Sequence, residues 1–364
     1  MQIVPLDLND PRMEAFFELP WQIYPEKHAW IPPSREQVRA ELSTENLFFR
    51  HGQAQAFLAL DGERVVGRIL ASLDHQLKDK RVGHFGYFEA YNRPDVAQAL
   101  LNAAMDWVSV QGGKDTLHGP VDLHIFNRYR VQTAGFETSP FLGEPRSPEY
   151  YPALLESAGL MPVARWNSWD IGEMQLRGMY QYLQGQIEKI RAQRPASYRL
   201  QTFRPDALEE ELRLSHQIAM EVFSENYGYT VLDFEEFQQA FSGIAGLMQI
   251  HPDLFGLFYH EQDVIGLGYA YLDYAAYFQA LKGAPVNPLE MLEQQPERLV
   301  LHTFGIQPTH RHSELAYDMF YYGLKHGFAR GVKSGIGALA KEGRTIYDQF
   351  GPPTRSYAVY ARQV

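Results

Sequence analysis

The residues with the most chemistry per unit length are His302 and the run His310, Arg311, His312, Ser313 and Glu314. Two histidines beside a carboxylate have the look of a metal site. A metal needs three or four converging ligands in fixed geometry, whereas this loop supplies only chain neighbours. No metal is expected, and a solvated polar loop is the favoured reading of the His-x-His. The loop has a second use. It follows an apolar, β-branched run, Leu299 to Ile306, and a break at Pro308. It precedes an amphipathic stretch with Leu315, Met319, Phe320, Leu324 and Phe328 that closes at Gly331;. That pattern predicts strand, loop and helix, and the apolar run from Ser334 to Ala340 predicts a second strand. Free N–H groups at a helix N-terminus beside a strand end can bind a phosphate. The spaced glycines of a dinucleotide fingerprint or a P-loop are missing. His302 stands in an apolar run, where a hydrogen-bonded core histidine is the commoner outcome than a base.

Composition sets the class. At 364 residues the chain exceeds what one core usually organises, so two domains are expected;. Apolar residues make up 45% and charged residues 21%, which describes a folded globular protein. The net charge of −11 argues against a general nucleic-acid binder, which needs a basic face;. Cysteine is absent, which excludes disulfides, thiolate metal sites and a Cys nucleophile;. No stretch reads as a signal peptide or a membrane span, so a cytoplasmic protein with no membrane partner is expected.

The elements repeat along the chain. Gln2 to Leu6 reads as a strand, and the aromatic stretch after it is cut by Pro20, Pro25, Pro32 and Pro33 into short helices and loops;. Ala54 to Leu60 and Arg64 to Ser72 form a hairpin about Asp61-Gly62;. Gly83 to Glu89 is a strand, Asp95 opens a helix that ends at Gly112-Gly113, and Thr116 to Val121 is a strand;. Val163 to Ile171 closes the first set, and Gly178 to Gln193 reads as a helix. The second set has a strand at Tyr198 to Phe203, helices from Pro205 to about Phe223 and from Asp233 to about Ala245, and a hairpin of Leu254 to Tyr259 with Val264 to Tyr271. An insertion, Phe278 to Pro296, precedes the Leu299 unit, and Ser356 to Ala361 is the last strand. A constant offset pairs Asp95 with Glu314, Gly112 with Gly331 and Lys114 with Lys333, which suggests two copies of one fold. The expected class is α+β (mixed α/β), each copy a twisted mixed sheet with helices on its faces. The boundaries are 1–175, a helical connector at 176–196, and 197–364.

The unit Ile306-x-Pro308-x-x-Arg311, helix, strand, then Tyr347 four residues before Gly351, resembles the acyl-CoA-binding half of the GCN5-related N-acetyltransferase (GNAT) superfamily. The superfamily's loop resembles Arg/Gln-x-x-Gly-x-Gly/Ala, with backbone amides on the CoA pyrophosphate. Arg311, His312, Ser313, Glu314, Leu315 and Ala316 occupy those places, so the Arg and the final small residue match while Glu314 replaces the central Gly. With Ile306 they are the expected cofactor-binding residues. Leu154-Leu155-Glu156 to Gly159 resembles the equivalent helix end in the first copy, with Leu155 where the Tyr stands. Gly119-Pro120 with Asn127, Gly135-Phe136 and Tyr150-Tyr151 resembles long tandem-domain bacterial members.

The resemblance implies acyl transfer from acetyl-CoA or another acyl-CoA to an amine of a small molecule or peptide, by direct attack and without a covalent enzyme intermediate. Tyr347 is then the acid for the leaving thiolate, with His302 or Glu342 as the base. Leu155 cannot donate a proton, so the second copy is the expected catalytic one. Ala340 replaces an Asn frequent in the superfamily. Asp122, His124 and Asn127 read as turn residues in preference to a cleft. Tyr227, Tyr229, Tyr271, Tyr274 and Tyr277 fall near the acceptor side. The alternative is a catalytically decayed module that binds a small ligand or a protein, homodimerisation being left open.

Overall fold

The structure is a computed structural model and is described for residues 1–24 and 30–363. Its strands are β1 (Gln2–Leu6), β2 (Gly52–Asp61), β3 (Arg64–Asp74), β4 (Val82–Ala90), β5 (Thr116–Gly119), β6 (Val131–Ala134) and β7 (Met161–Ile171) in the first half. In the second half they are β8 (Tyr198–Thr202), β9 (Phe255–His260), β10 (Asp263–Leu272), β11 (Arg298–Ile306), β12 (Ser334–Lys341) and β13 (Arg355–Gln363). All 13 belong to one sheet, ordered β1-β2-β3-β4-β5-β13-β7-β12-β11-β10-β9-β8, with β6 pairing β13. The mixed α/β class holds, and the two sets of strands form one continuous surface.

The centre of that sheet is an exchange. The chain's last strand, β13, lies antiparallel between β5 and β7, with Tyr360 opposite Gly119 and Tyr357 opposite Trp166. The first half's last strand, β7, lies between β13 and the second half's β12, with Ile171 opposite Gly335. Each half thus completes its hydrogen bonding on a strand from the other. Buried charge locks the join. Arg355 is fully buried, its Nε donating to Thr138 Oγ1 at 2.6 Å and its guanidinium 3.0 Å from Asp170 and 3.3 Å from Glu144.

Helices cover both faces. Pro94–Gly112 buries Val96, Leu100, Leu101, Ala104 and Val108 on the first-half sheet, the apolar spacing that one helical face requires;. It ends on Gly113 at φ +59, where a left-handed residue without a Cβ satisfies the last carbonyls;. Leu315–Ala329 plays the same part in the second half, packed against Glu173–Gln193. Among the described residues no helix is long and apolar enough to cross a membrane.

Three expectations change. Met13–Ile23 is one helix with Pro20 inside it, because Phe16, Phe17, Leu19 and Ile23 bury one face and that burial outweighs the lost hydrogen bond;. Pro25 lies outside the described residues. The helix expected from Asp233 to Ala245 breaks at Phe241 into Phe234–Ala240 and Ser242–Ile250, where Ser242-Gly243 is a weak helix former;. The Phe278 to Pro296 insertion opens inside helix Ala275–Leu281 and contains helix Pro288–Glu293.

The halves also meet at His51. Its Nδ1 is 3.1 Å from Asp74 and its Nε2 is 2.9 Å from Glu236 of the other half. Burial opposes the charge, but the two carboxylates outweigh it and raise the imidazole to about 10. A histidine raised above its unfolded value of about 6.5 stabilises the fold fully below that value and loses the contribution as pH rises through its folded value. Urea midpoints of the wild type should therefore fall between about pH 6.5 and about pH 10 more steeply than those of His51→Gln; equal slopes would show that His51 carries no such linkage.

Candidate functional site

The site begins where two parallel strands part. β11 and β12 pair from Arg298 opposite Ser334 to Leu301 opposite Gly337 and then separate. Both strands are irregular at that point. The β10–β11 register shifts between Tyr269 and Ala270, leaving His302 as the extra residue. The β12–β7 register shifts between Gly337 and Ala340, with Leu339 at φ +55 and its N–H donating to Ser168 Oγ at 3.0 Å. Such bulges bend strands and re-aim side chains.

Tyr347 and His302 are brought together beside this parting. The turn Ile346–Phe350 lays the Tyr347 ring over Gly337, where any Cβ would stand 2.5 Å from the ring, so only glycine fits. The Tyr347 hydroxyl donates to Leu301 O at 3.3 Å, and burial raises its pKa, so it stays protonated at neutral pH. His302 is half-buried, stacked on Tyr269 with ring centres 5.4 Å apart, with Nδ1 2.7 Å from Thr303 Oγ1. Burial and then the charge of Arg130 push its imidazole down to about 4, so it is neutral at pH 7. Glu342 is placed elsewhere: its side chain is exposed, and its backbone N–H donates to Arg165 O at 2.9 Å.

The loop before the helix is a 3-10 turn, Pro308–Ser313, followed by Glu314 at φ +56, ψ +20. That left-handed backbone is what a glycine adopts freely. Glu314 keeps the shape while its side chain is exposed. Its carbonyl accepts from Arg194 Nη2 at 3.1 Å, and Arg194 and Arg191 both hold Asp318 in the helix's first turn, Arg191 Nε at 2.8 Å. Ile306 and Leu315 are buried together with Phe258, Ile265 and Met319, forming the apolar floor of the loop. Arg311 and His312 are exposed, Ser313 is buried, and Ala316 faces the cavity described next. His310 Nδ1 lies 3.0 Å and His312 Nε2 3.5 Å from the Tyr198 hydroxyl, so Tyr198 orders the two imidazoles of the polar loop. Among the described residues no group of three or more His, Asp or Glu side chains could hold a metal.

The parting opens onto a cavity of about 1680 Å³ lined by both halves. Its second-half lining includes the apolar Phe237, Phe241, Leu247, Met248, Phe255 and Met291 together with the charged Glu211, Lys341 and Arg344. Its first-half lining sets the charged Arg68, Glu89, Asp122, Arg128 and Arg130 among aromatic and aliphatic side chains such as Trp30, Phe126 and Trp166. Burial raises the Glu89 carboxyl to about 7 against the opposing charge of Arg68 and the Tyr151 hydrogen bond. Sequence reasoning missed Glu89, Arg68 and Arg130. The available signal was a single carboxylate, Glu89, in the largely apolar strand Val82–Ala90. Of the five tyrosines expected near the acceptor side, Tyr227 lines the cavity. Tyr229, Tyr271, Tyr274 and Tyr277 use their hydroxyls in packing, on Met220 O, Leu142 O, His251 and Asn287 respectively.

Known proteins give a consistent picture of the fold. No family model matches the chain. It is 27% identical over 233 residues to Protein YghO of Escherichia coli K12, covering 63% of this chain and 58% of that protein. It is 27% identical over 240 residues to the bacterial ceramide synthase of Caulobacter vibrioides, covering 63% and 59%. The matched region is therefore less than two thirds of either relative. Among solved structures, a tandem GNAT protein from the clavulanic acid biosynthesis pathway aligns over 100% of this chain and 98% of its own, with a TM-score of 0.52 and 12% identity. The chain has the tandem GNAT fold. A probable N-acyltransferase from Enterococcus faecalis V583 also aligns over 100% of this chain and 72% of its own, with a TM-score of 0.54 and 10% identity.

The two GNAT halves differ at the equivalent place. In the first, β4 and β5 pair from Val82 opposite Thr116 to His84 opposite His118, and β4 then turns through Tyr87 at φ +48. Here the chain fills its own gap. Val121 N donates to Phe85 O at 2.7 Å, Val121 O sits 2.2 Å from where a Cβ on Gly86 would be, and Asp122 Oδ1 accepts from Tyr87 N at 2.6 Å. Asn127 Nδ2 donates to Asp122 O at 3.1 Å and His124 is buried, so this segment forms the expected turn. Asp122 and Asn127 also face the cavity. Leu155 is buried in the first-half core.

The left-handed Glu314 makes a stability prediction. A non-glycine residue there costs about 1–2 kcal/mol. Glu314→Gly should raise unfolding stability by about 1 kcal/mol, part of the gain being offset by the freer unfolded chain. Denaturant unfolding measures it, and a loss of stability would mean that the Glu314 side chain makes a contribution its exposure does not reveal.

Proposed function

We propose that this chain is an acyl-CoA-dependent N-acyltransferase that carries its donor in the second half, 197–364, and uses the first half, 1–175, to shape the acceptor pocket, with 176–196 as connector. The carrying observation is that the parting of β11 and β12, flanked by Tyr347 and His302, opens onto one cavity lined by apolar and charged side chains of both halves. Acyl-CoA is the substrate that suits the loop: a helix N-terminus favours phosphate, and Arg311 is exposed beside it while the Glu314 side chain is exposed to solvent;. A cavity larger than the roughly 300–1,000 Å³ of most small-ligand pockets suits a long acyl chain or an amphiphilic amine better than an acetyl group and a small acceptor. The name of the Caulobacter vibrioides relative, a ceramide synthase, points the same way.

In this mechanism the amine nitrogen attacks the thioester carbonyl carbon, the carbon–sulfur bond breaks and an amide forms. Tyr347, kept protonated by burial, gives its proton to the departing thiolate and regains one from solvent;. His302, neutral and adjacent to the parting, accepts the proton lost by the amine.

Free-thiol release from acyl-CoA with a long-chain amine is the direct test. Tyr347→Phe should lower turnover by about 100-fold or more, as removal of a general acid does, while Leu155→Val leaves it nearly unchanged. Equal activity of Tyr347→Phe would remove the acid assignment, and no turnover with any acyl donor would return the decayed-module reading. The pH profile separates the bases. With His302 as base, the enzyme contributes no inflection near neutrality. A step near pH 7 that disappears in Glu89→Gln would move the role to Glu89, whose carboxyl stands at about 7.

A further inference from the structure

Among the described residues, Arg130 is a charge without a counter-charge. It sits at φ +82 directly after the turn, with Cζ 3.8 Å from the Tyr129 ring centre and 4.3 Å from that of Trp166. Its guanidinium donates to the Tyr129 hydroxyl, and its Nε is buried with no partner. Desolvation lowers its pKa, and the groups that oppose this are the hydroxyls of Tyr129 and Tyr357, with no carboxylate among them. The contrast with its neighbours is sharp: Arg128 pairs with Glu41 and Asp122, Arg355 with Glu144 and Asp170, and Arg298 with Asp273. A desolvated cation normally acquires a paired anion, because leaving one partner uncompensated is strongly destabilising.

Arg130 is also placed to meet a substrate. It lines the cavity, and its platform Trp166 is the cross-strand partner of Lys341 on β12, just past the bulge at Leu339. Its charge reaches His302 on the other side of the parting. The two rings hold the guanidinium plane, and a fixed fork of N–H donors recognises a carboxylate through paired hydrogen bonds.

We propose that Arg130 is the anchor for a carboxylate on the acceptor, so that the amine acylated belongs to an amino acid or a carboxylate-bearing amphiphile. This rests on the acyl-transfer reading, and it narrows the acceptor to one that brings the missing anion. The carboxylate holds one end of the acceptor against Arg130 while the amine faces His302.

Calorimetric binding of product mimics tests the anchor without turnover. N-decanoylglycine carries the carboxylate, and N-decanoylglycinamide is its neutral match. The wild type should bind the acid about tenfold more tightly than the amide or better, a difference of about 1.4 kcal/mol. Arg130→Gln should abolish that difference while leaving amide affinity unchanged, and Arg130→Lys should keep part of it. Because no carboxylate among the described residues pairs with Arg130, Arg130→Gln should melt no lower than the wild type, which a purely structural arginine would not allow. Equal binding of both mimics by the wild type would overturn the anchor and leave the cavity reading intact. Binding of neither would overturn both. CoA, titrated in parallel, should bind Arg130→Gln as it binds the wild type; a matching loss there, without acid-over-amide discrimination, would assign the anion to a CoA phosphate and overturn the acceptor proposal.

Discussion

The constraint on which the rest depends is the exchange of β7 and β13 at the middle of the sheet. Neither half closes its own hydrogen-bonded surface, since β5 needs β13 and β12 needs β7. An unpaired strand edge inside an apolar core would leave backbone N–H and C=O groups without partners, at a cost that neither half could meet alone. The two halves therefore form one sheet, and the cavity between them has walls from both. Arg355 marks the cost of the arrangement: a fully buried guanidinium tolerable because Asp170, Glu144 and Thr138 surround it;.

The same fold used twice has two outcomes because of what each strand parting contains. In the first half the turn from Val121 to Arg130 enters the gap, and the Asp122 carboxylate takes the Tyr87 amide that a bulge leaves pointing inward. In the second half the gap remains open, and a tyrosine ring, seated on Gly337, borders it. The first half's turn also delivers Arg128 and Arg130 to the shared cavity. One segment thus closes one site and equips the other.

Burial sets the electrostatics of that cavity. It raises Glu89 toward neutrality, keeps Tyr347 protonated and keeps His302 uncharged. Each shift is the penalty for a charged form removed from water, modified by the nearest opposite or like charge.

Much of the architecture was legible in the chain. Alternating apolar runs located β1, β3, β11 and β12 within a few residues, Asp61-Gly62 marked its hairpin, and the helix-ending Gly113 and Gly331 stood where expected, because these signals are local and depend on backbone sterics and on one buried face;. The loop from Pro308 to Ala316 and Tyr347 were legible for the same reason, as a spacing within one unit. What tertiary structure decided was everything built across the join. The exchange of β7 and β13 leaves no mark on periodicity, since a strand alternates identically whichever neighbour it has. Glu314 reads as a departure from the loop's central Gly, yet its backbone takes a glycine's conformation and its side chain is exposed. Glu89, Arg130 and His302 are more than 40 residues apart or on different strands, and only burial in a shared cavity changes the charge each can hold. Local pattern determined the elements; the chemistry was decided by which of them face the same enclosed space.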